Sequence, residues 1–194
     1  MSLRERVYSV LLVSASESLN KSLSGLLPVS VYSPVTTVGS VSAAKRLIAE
    51  RNYDFILVNS PLPDEDGMRF CIDAVYGGNS IATVLVRSEL YPDFFDAASA
   101  SGVFVVPKPL TKSTATLALD WMISARERLR HTEKKVLSVE EKMDEIRLVN
   151  RAKWLLISEL HMSEPEAHRY IEKQAMDRCV RRKSVAEEII KTYG

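Results

Sequence analysis

Five apolar, β-branched runs alternate with helical patterns over the first two-thirds of the chain. That alternation limits the possible folds more than any other feature. The runs lie at 8–13, 29–32, 55–58, 82–86 and 103–106, with helical spacing between them near 19–26, 42–50, 67–76 and 92–100. A strand that is apolar at nearly every position must be covered on both faces. Strand–helix units of this kind predict a five-stranded, doubly wound parallel sheet of the α/β class. In such folds the functional crevice lies at the carboxyl ends of the strands.

The last third reads differently. Between Lys112 and Leu160 there is no Pro and no Gly. A 3-4 spacing runs through Ala115, Ala118, Met122, Ala125, Leu129, Thr132, Val136, Val139, Met143, Ile146 and Asn150, with charged residues between. A repeat of about five heptads outruns the surface of a small domain. The first turns are expected to pack on the sheet. Met122, Leu129, Val136, Val139 and Met143 are expected to form a coiled-coil seam with a second copy, making a homodimer.

Three Ser-x-x-Glu patterns follow: Ser138 with Glu141, Ser163 with Glu166, and Ser184 with Glu187. Each reads as a capping box, although the heptads run through the first. Pro165 falls in the first turn of the second, where a missing amide proton costs little. Apolar stripes come after each, including Ala167, Tyr170, Ile171 and Ala175, then Ala186, Ile189, Ile190 and Tyr193. A small three-helix module results. The expected division is 1–111, a linker helix at 112–139, and 140–194.

Composition narrows the classes. The chain has 194 residues, 46% apolar and 26% charged, which is ordinary for a globular protein. Its net charge is +1, but the excess is late: Arg178, Arg181, Arg182 and Lys183 crowd six positions. A solvated loop explains such a cluster as well as a polyanion partner does. Cys71 and Cys179 lie far apart, without a Cys-x-x-Cys motif, which fits a reducing cytoplasm. The apolar run at 7–13 behind Arg4 and Arg6 is too short for a signal peptide, and no stretch approaches a membrane span. His161 and His168 lack Cys or carboxylate companions, so no metal is expected there. No nucleophile–base pair, phosphate loop or metal cluster is visible. Neither an enzyme nor a cofactor is expected.

Two resemblances sharpen this. The segment Asn59-Ser60-Pro61-Leu62-Pro63-Asp64-Glu65-Asp66-Gly67, after the third strand, and Lys108-Pro109, after the fifth, resemble a response-regulator receiver domain of flavodoxin-like fold. The match covers roughly residues 6–125. The resemblance implies an aspartate nucleophile at position 59, an acidic Mg²⁺-binding pair at 14 and 15, a hydroxyl at 87 or 88, and a lysine at 108. It also implies that the Lys108–Pro109 bond is often cis. Here Asn59 replaces the nucleophile, and an amide is a very poor one. Ser14 and Ala15 replace the acidic pair, Arg87 takes the hydroxyl position (Ser88 if the register shifts by one), and Val105 replaces an aromatic. Only Lys108 remains. A pseudo-receiver that is not phosphorylated is expected, with a sensor protein or a small molecule as the alternative signal.

The C-terminal module resembles the ANTAR domain, the RNA-binding output of transcription antitermination regulators. The carriers are Arg151-Ala152-Lys153-Trp154-Leu155-Leu156, Met162-Ser163-Glu164-Pro165-Glu166-Ala167, Ala175-Met176-Asp177-Arg178, and Ser184-Val185-Ala186-Glu187-Glu188-Ile189. The resemblance implies recognition of hairpins in nascent mRNA. RNA binding needs cations for phosphates and planar groups for loop bases. The candidate cations are Arg151, Lys153, Arg169, Lys173, Arg178, Arg181, Arg182 and Lys183. Arg169 and Lys173 lie four apart on one helix face, and the ordinary alternative pairs them with Glu166 and Glu172. Trp154 stands where the family has a small residue. Core packing is its ordinary reading and base stacking the other. A protein-interaction adaptor and a DNA-binding response regulator are the competing functions. Against the latter, the tail has no Gly before Gly194 to shape a helix-turn-helix.

Overall fold

The computed structural model describes residues 6–194; Arg4 lies outside them. The elements are β1 (Tyr8–Val13), α1 (Glu17–Ser24), β2 (Tyr32–Val38), α2 (Val41–Glu50), β3 (Phe55–Asn59), α3 (Met68–Gly77), β4 (Ile81–Arg87), α4 (Tyr91–Ser101), β5 (Phe104–Lys108), α5 (Lys112–Leu160), α6 (Glu164–Asp177) and α7 (Arg182–Tyr193). The strands form one parallel sheet in the order β2-β1-β3-β4-β5. This is the flavodoxin-like order, with the switch point beside β1 and β3. The expected fold class is the observed one.

Pleating sends alternate residues to opposite faces. Leu11 and Val13 pack with Val41 and Ala44 of α2, Phe70 and Cys71 of α3, and Ala98 of α4. Val10 and Leu12 pack with Leu23 of α1 and with Leu119 and Met122 of α5. The central strands β3 and β4 are buried almost throughout. Gly67 opens α3 with φ +81, and a Cβ there would stand 2.5 Å from Val58 Cγ1. Space and backbone together restrict that position to glycine.

The second strand differs from expectation. The apolar residues Val29–Val31 form a turn, with the N–H groups of Val31 and Tyr32 both donating to the Pro28 carbonyl. The strand instead takes the polar segment that begins at Tyr32. It is an edge strand with one neighbour, so polar side chains and Pro34 are tolerated there.

Helix α5 runs 49 residues without a break, so Ser138 and Glu141 mark no helix start. The chain divides into two compact units at Arg130 and His131, within the stretch expected as the linker. In the first unit α5 buries Leu119 and Met122 against the sheet, with Leu129 partly covered by the same core, and Ala115 is buried too. Met122 is therefore core rather than seam, and Leu129 is only partly free. The helix is held by two carboxylates, a partly buried Asp54 and a buried Glu127. Asp54 accepts from Arg126 Nε at 3.0 Å and Arg130 Nη2 at 2.9 Å. Glu127 accepts from the Tyr8 hydroxyl at 3.0 Å and pairs with Arg6 and Arg130. Packing thus extends well beyond the first two turns.

In the second unit Val149, Ala152 and Leu156 of α5 pack with Ala167, Ile171 and Ala175 of α6 and with Val185, Ala186 and Ile189 of α7. The box at Ser163 forms: Glu166 Oε2 accepts from the Ser163 N–H at 2.9 Å and its hydroxyl at 2.6 Å. The box at Ser184 does not. Helix α7 starts two residues earlier, with Arg181 at the N-cap and no side-chain cap. Among the described residues no helix is long and apolar enough to cross a membrane.

Candidate RNA-binding module and receiver crevice

The crevice of the first unit lies at the carboxyl ends of β1, β3, β4 and β5. Asn59 ends β3 and is nearly buried. Its Nδ2 donates to Ser14 Oγ at 3.2 Å, and its Oδ1 accepts from Lys108 Nζ at 3.0 Å. Lys108 also donates to the Ser60 carbonyl. Ser14 Oγ further accepts the Ser16 N–H at 3.2 Å. The amide therefore bridges a hydroxyl and an ammonium, using its donor on one side and its acceptor on the other. Ala15 is exposed and offers a methyl group. Arg87 ends β4, exposed and without an ion pair among the described residues. Burial and then the Arg87 charge hold the Lys108 ammonium below its ordinary pKa. The Ser88 hydroxyl donates to the Lys108 carbonyl. The Lys108–Pro109 bond is cis.

Nearby carboxylates are engaged elsewhere. Asp64 accepts from the N–H groups of Val41 at 3.1 Å and Ser42 at 2.9 Å. Glu65 pairs with Lys45 at 2.8 Å, and Asp66 accepts from the Met68 N–H at 2.8 Å. Mg²⁺ takes hard, anionic oxygen ligands. A hydroxyl, a methyl, an amide and two cations are the wrong donor set for it, so these residues do not fit a magnesium site.

The second unit carries the cations. Three of the eight candidates are tied to acids. Lys153 meets Glu164 at 2.7 Å, Arg178 forms a two-pronged pair with Glu188 at 2.6 and 2.7 Å, and Arg182 reaches Glu145 at 3.3 Å and Glu172 at 3.7 Å. Arg151, Arg169, Lys173, Arg181 and Lys183 have no ion pair among the described residues. Arg169 and Lys173 do not take their expected partners. Glu166 bonds chiefly to Ser163 and feels the Arg169 charge without an ion pair, and Glu172 meets His168 and Arg182.

Two aromatic residues fall outside the expected pattern. Trp154 is 70% exposed, not core. It lies two residues from each of Ala152 and Leu156, about 200° round the helix from either. Tyr170 belongs to an apolar stripe in the sequence, yet it is 39% exposed while Ala167, Ile171 and Ala175 are buried. On the seam, Val136, Val139 and Met143 are 50%, 55% and 51% exposed.

Residues 138–190 match the ANTAR domain family. The chain couples a receiver fold to an ANTAR domain. Over 189 residues it is 28% identical to the transcriptional regulatory protein PdtaR of two Mycobacterium tuberculosis strains, CDC 1551 / Oshkosh and ATCC 25618 / H37Rv. That alignment covers 95% of this chain and 90% of the relative. Among solved structures, it is similar to the signal receiver domain of an HD domain-containing protein from Pseudomonas fluorescens Pf-5. The TM-score is 0.56 at 20% identity, over 68% of this chain and 95% of that one. The receiver domain of the TMAO respiratory system response regulator TorR gives a TM-score of 0.53 at 16% identity, over 60% and 96%. At these identities the likeness is one of fold.

The loop geometry has a pH signature. Hydrogen bonds from the Ser42 and Val41 N–H groups hold Asp64 down at about 2, from 3.8. A carboxylate depressed in the folded state stabilises it above the unfolded pKa, and that contribution is lost as pH falls through the folded value. Urea midpoints of the wild type should therefore decline between about pH 4 and pH 2. Asp64→Asn should remove part of that decline, and an identical acid limb in the variant would refute this role for Asp64.

Proposed function

We propose that this chain is a non-enzymatic, cytoplasmic regulator that binds hairpins in nascent mRNA through its ANTAR domain and prevents termination of transcription. The observation that carries the reading is the ANTAR match at 138–190, on a unit whose Arg151, Arg169, Lys173, Arg181 and Lys183 are left without internal ion pairs. PdtaR is described as a transcriptional regulatory protein, which supports the same direction.

We infer that the receiver unit is not phosphorylated. Asn59 offers an amide already engaged with Ser14 and Lys108, and the acidic pair is replaced by Ser14 and Ala15. A sensor protein or a small molecule would then supply the signal. Incubation with acetyl phosphate and Mg²⁺ should leave the intact mass unchanged. A stoichiometric, hydroxylamine-labile adduct would overturn this.

The seam supports a homodimer through Val136, Val139 and Met143, apolar side chains standing half exposed on α5. Two chains holding two ANTAR domains suit paired hairpins. Val136→Glu with Val139→Glu places charges in that seam and spares Leu129, which packs on its own core. Sedimentation should show a dimeric wild type and a monomeric double variant. A monomeric wild type, or a variant that stays dimeric, would count against the seam.

Phosphate contacts make affinity fall with salt, and each contact removed flattens that slope by about one unit or slightly less. Arg181→Ala with Lys183→Ala should flatten the slope for an RNA hairpin by about two units. Arg178→Ala should flatten it less, because Arg178 already faces Glu188. Equal slopes for wild type and double variant would reject this patch, and a wild type that binds no hairpin would favour the adaptor.

A further inference from the structure

At the turn between α5 and α6 a shallow hollow of about 470 Å³ opens beside Leu160, His161, Met162, Arg169, Tyr170 and Lys173. Its parts are three kinds of group that rarely meet on a solvated helix face. Leu160 and Met162 give an apolar floor. Tyr170 turns away from the packed stripe and stands partly exposed at the hollow. Arg169 and Lys173, one residue before Tyr170 and three after it, make no ion pair among the described residues, although the Arg169 charge helps to lower the pKa of Glu166. The one carboxylate in the lining, Glu166, is fixed on Ser163 at the start of α6.

A planar group over an apolar floor, flanked by unpaired cations, has the chemistry of a single-stranded nucleic-acid contact. The π-face of an unpaired base stacks on an aromatic ring, and the adjoining phosphates meet cations. A paired duplex offers phosphates but no free π-face. We propose that this hollow takes one unpaired nucleobase of an RNA hairpin loop, stacked on Tyr170, with Arg169 and Lys173 on the flanking phosphates. The proposal rests on the RNA-binding reading above and assigns the residue that discriminates loop from stem.

Stacking and charge separate experimentally. Stacking on one side chain contributes about 1–3 kcal/mol per base, which is about five- to 150-fold in affinity. It carries no counterion release, so its loss leaves the salt slope alone. The probes are a hairpin with a fixed stem and a randomised loop, the same stem with an abasic loop, and the same stem as plain duplex RNA. For the full-length chain, Tyr170→Ala should weaken the randomised-loop hairpin within that range at an unchanged salt slope. It should leave the abasic hairpin and the duplex at wild-type affinity, and Tyr170→Phe should retain wild-type binding. Arg169→Ala with Lys173→Ala should instead flatten the slope for all three probes. Equal affinity of wild type and Tyr170→Ala for the loop would overturn the proposal while leaving RNA binding in place. A loss shared equally by loop and duplex, or by Tyr170→Phe, would overturn stacking, as would a changed sedimentation coefficient with unchanged RNA affinity, which would assign the hollow to a protein contact. A wild type that binds no probe would remove the RNA reading itself, and this proposal with it.

Discussion

Two carboxylates that grip α5, a partly buried Asp54 and a buried Glu127, set the terms for the receiver unit. Asp54, just ahead of β3, accepts from the N–H and the hydroxyl of Ser9 on β1, both at 3.0 Å, and from Arg126 and Arg130 on α5. Burial alone would raise its pKa. The Ser9 and Arg126 hydrogen bonds outweigh that and leave it below the ordinary value. Glu127, also buried, takes Tyr8, Arg6 and Arg130. Leaving a buried charge such as Glu127 without its partner costs about 3–5 kcal/mol, and Asp54 adds two further ties, so these side chains keep α5 on the sheet as far as Arg130. Met122 and Leu129 become part of the receiver core as a result. The apolar stripe that remains uncovered starts at Val136.

The crevice at the other end of the strands is held by neutral partners. Lys108 meets two neutral oxygens, the Asn59 amide and the Ser60 carbonyl. Arg87 adds a second positive charge nearby. Asn59 without Ser14 would have a nearly buried amide donor without this acceptor. The residues at 14, 59 and 108 therefore work as a set, each satisfying the next.

Much of this was legible in the sequence, and the failures have physical causes. Buried central strands announce themselves because covering both faces demands apolar residues at every position, as in β3. The edge strand β2 has no such demand, so the apolar turn before it looked more strand-like than the strand. The Ser163 box was readable because serine and glutamate satisfy each other locally. Ser184 has the same spacing, but α7 is already under way when it is reached. Met122 fits a heptad and a core face equally well, since both follow helical spacing. Only the contacts of α5 with the sheet separate them. Tyr170 and Trp154 were misplaced for a related reason. Aromatic residues count as apolar in a stripe, and one helical step decides whether they face the core or the solvent.

Charge in the ANTAR domain is better understood by pairing than by total. The Lys153–Glu164, Arg178–Glu188 and Arg182–Glu145 pairs join α5 to α6, the α6–α7 link to α7, and α7 to α5. Pairs as exposed as the last two add little to stability, so their main consequence is local neutralisation. They cancel charge on the faces where helices meet. Of the eight candidate cations, those without an ion pair among the described residues are Arg151 on α5, Arg169 and Lys173 on α6, Arg181 at the N-cap of α7 and Lys183 in its first turn. Acids without an ion pair among the described residues share the module, Glu159, Asp177 and Glu187 among them, so any local excess of positive charge comes from where the cations cluster and not from their number.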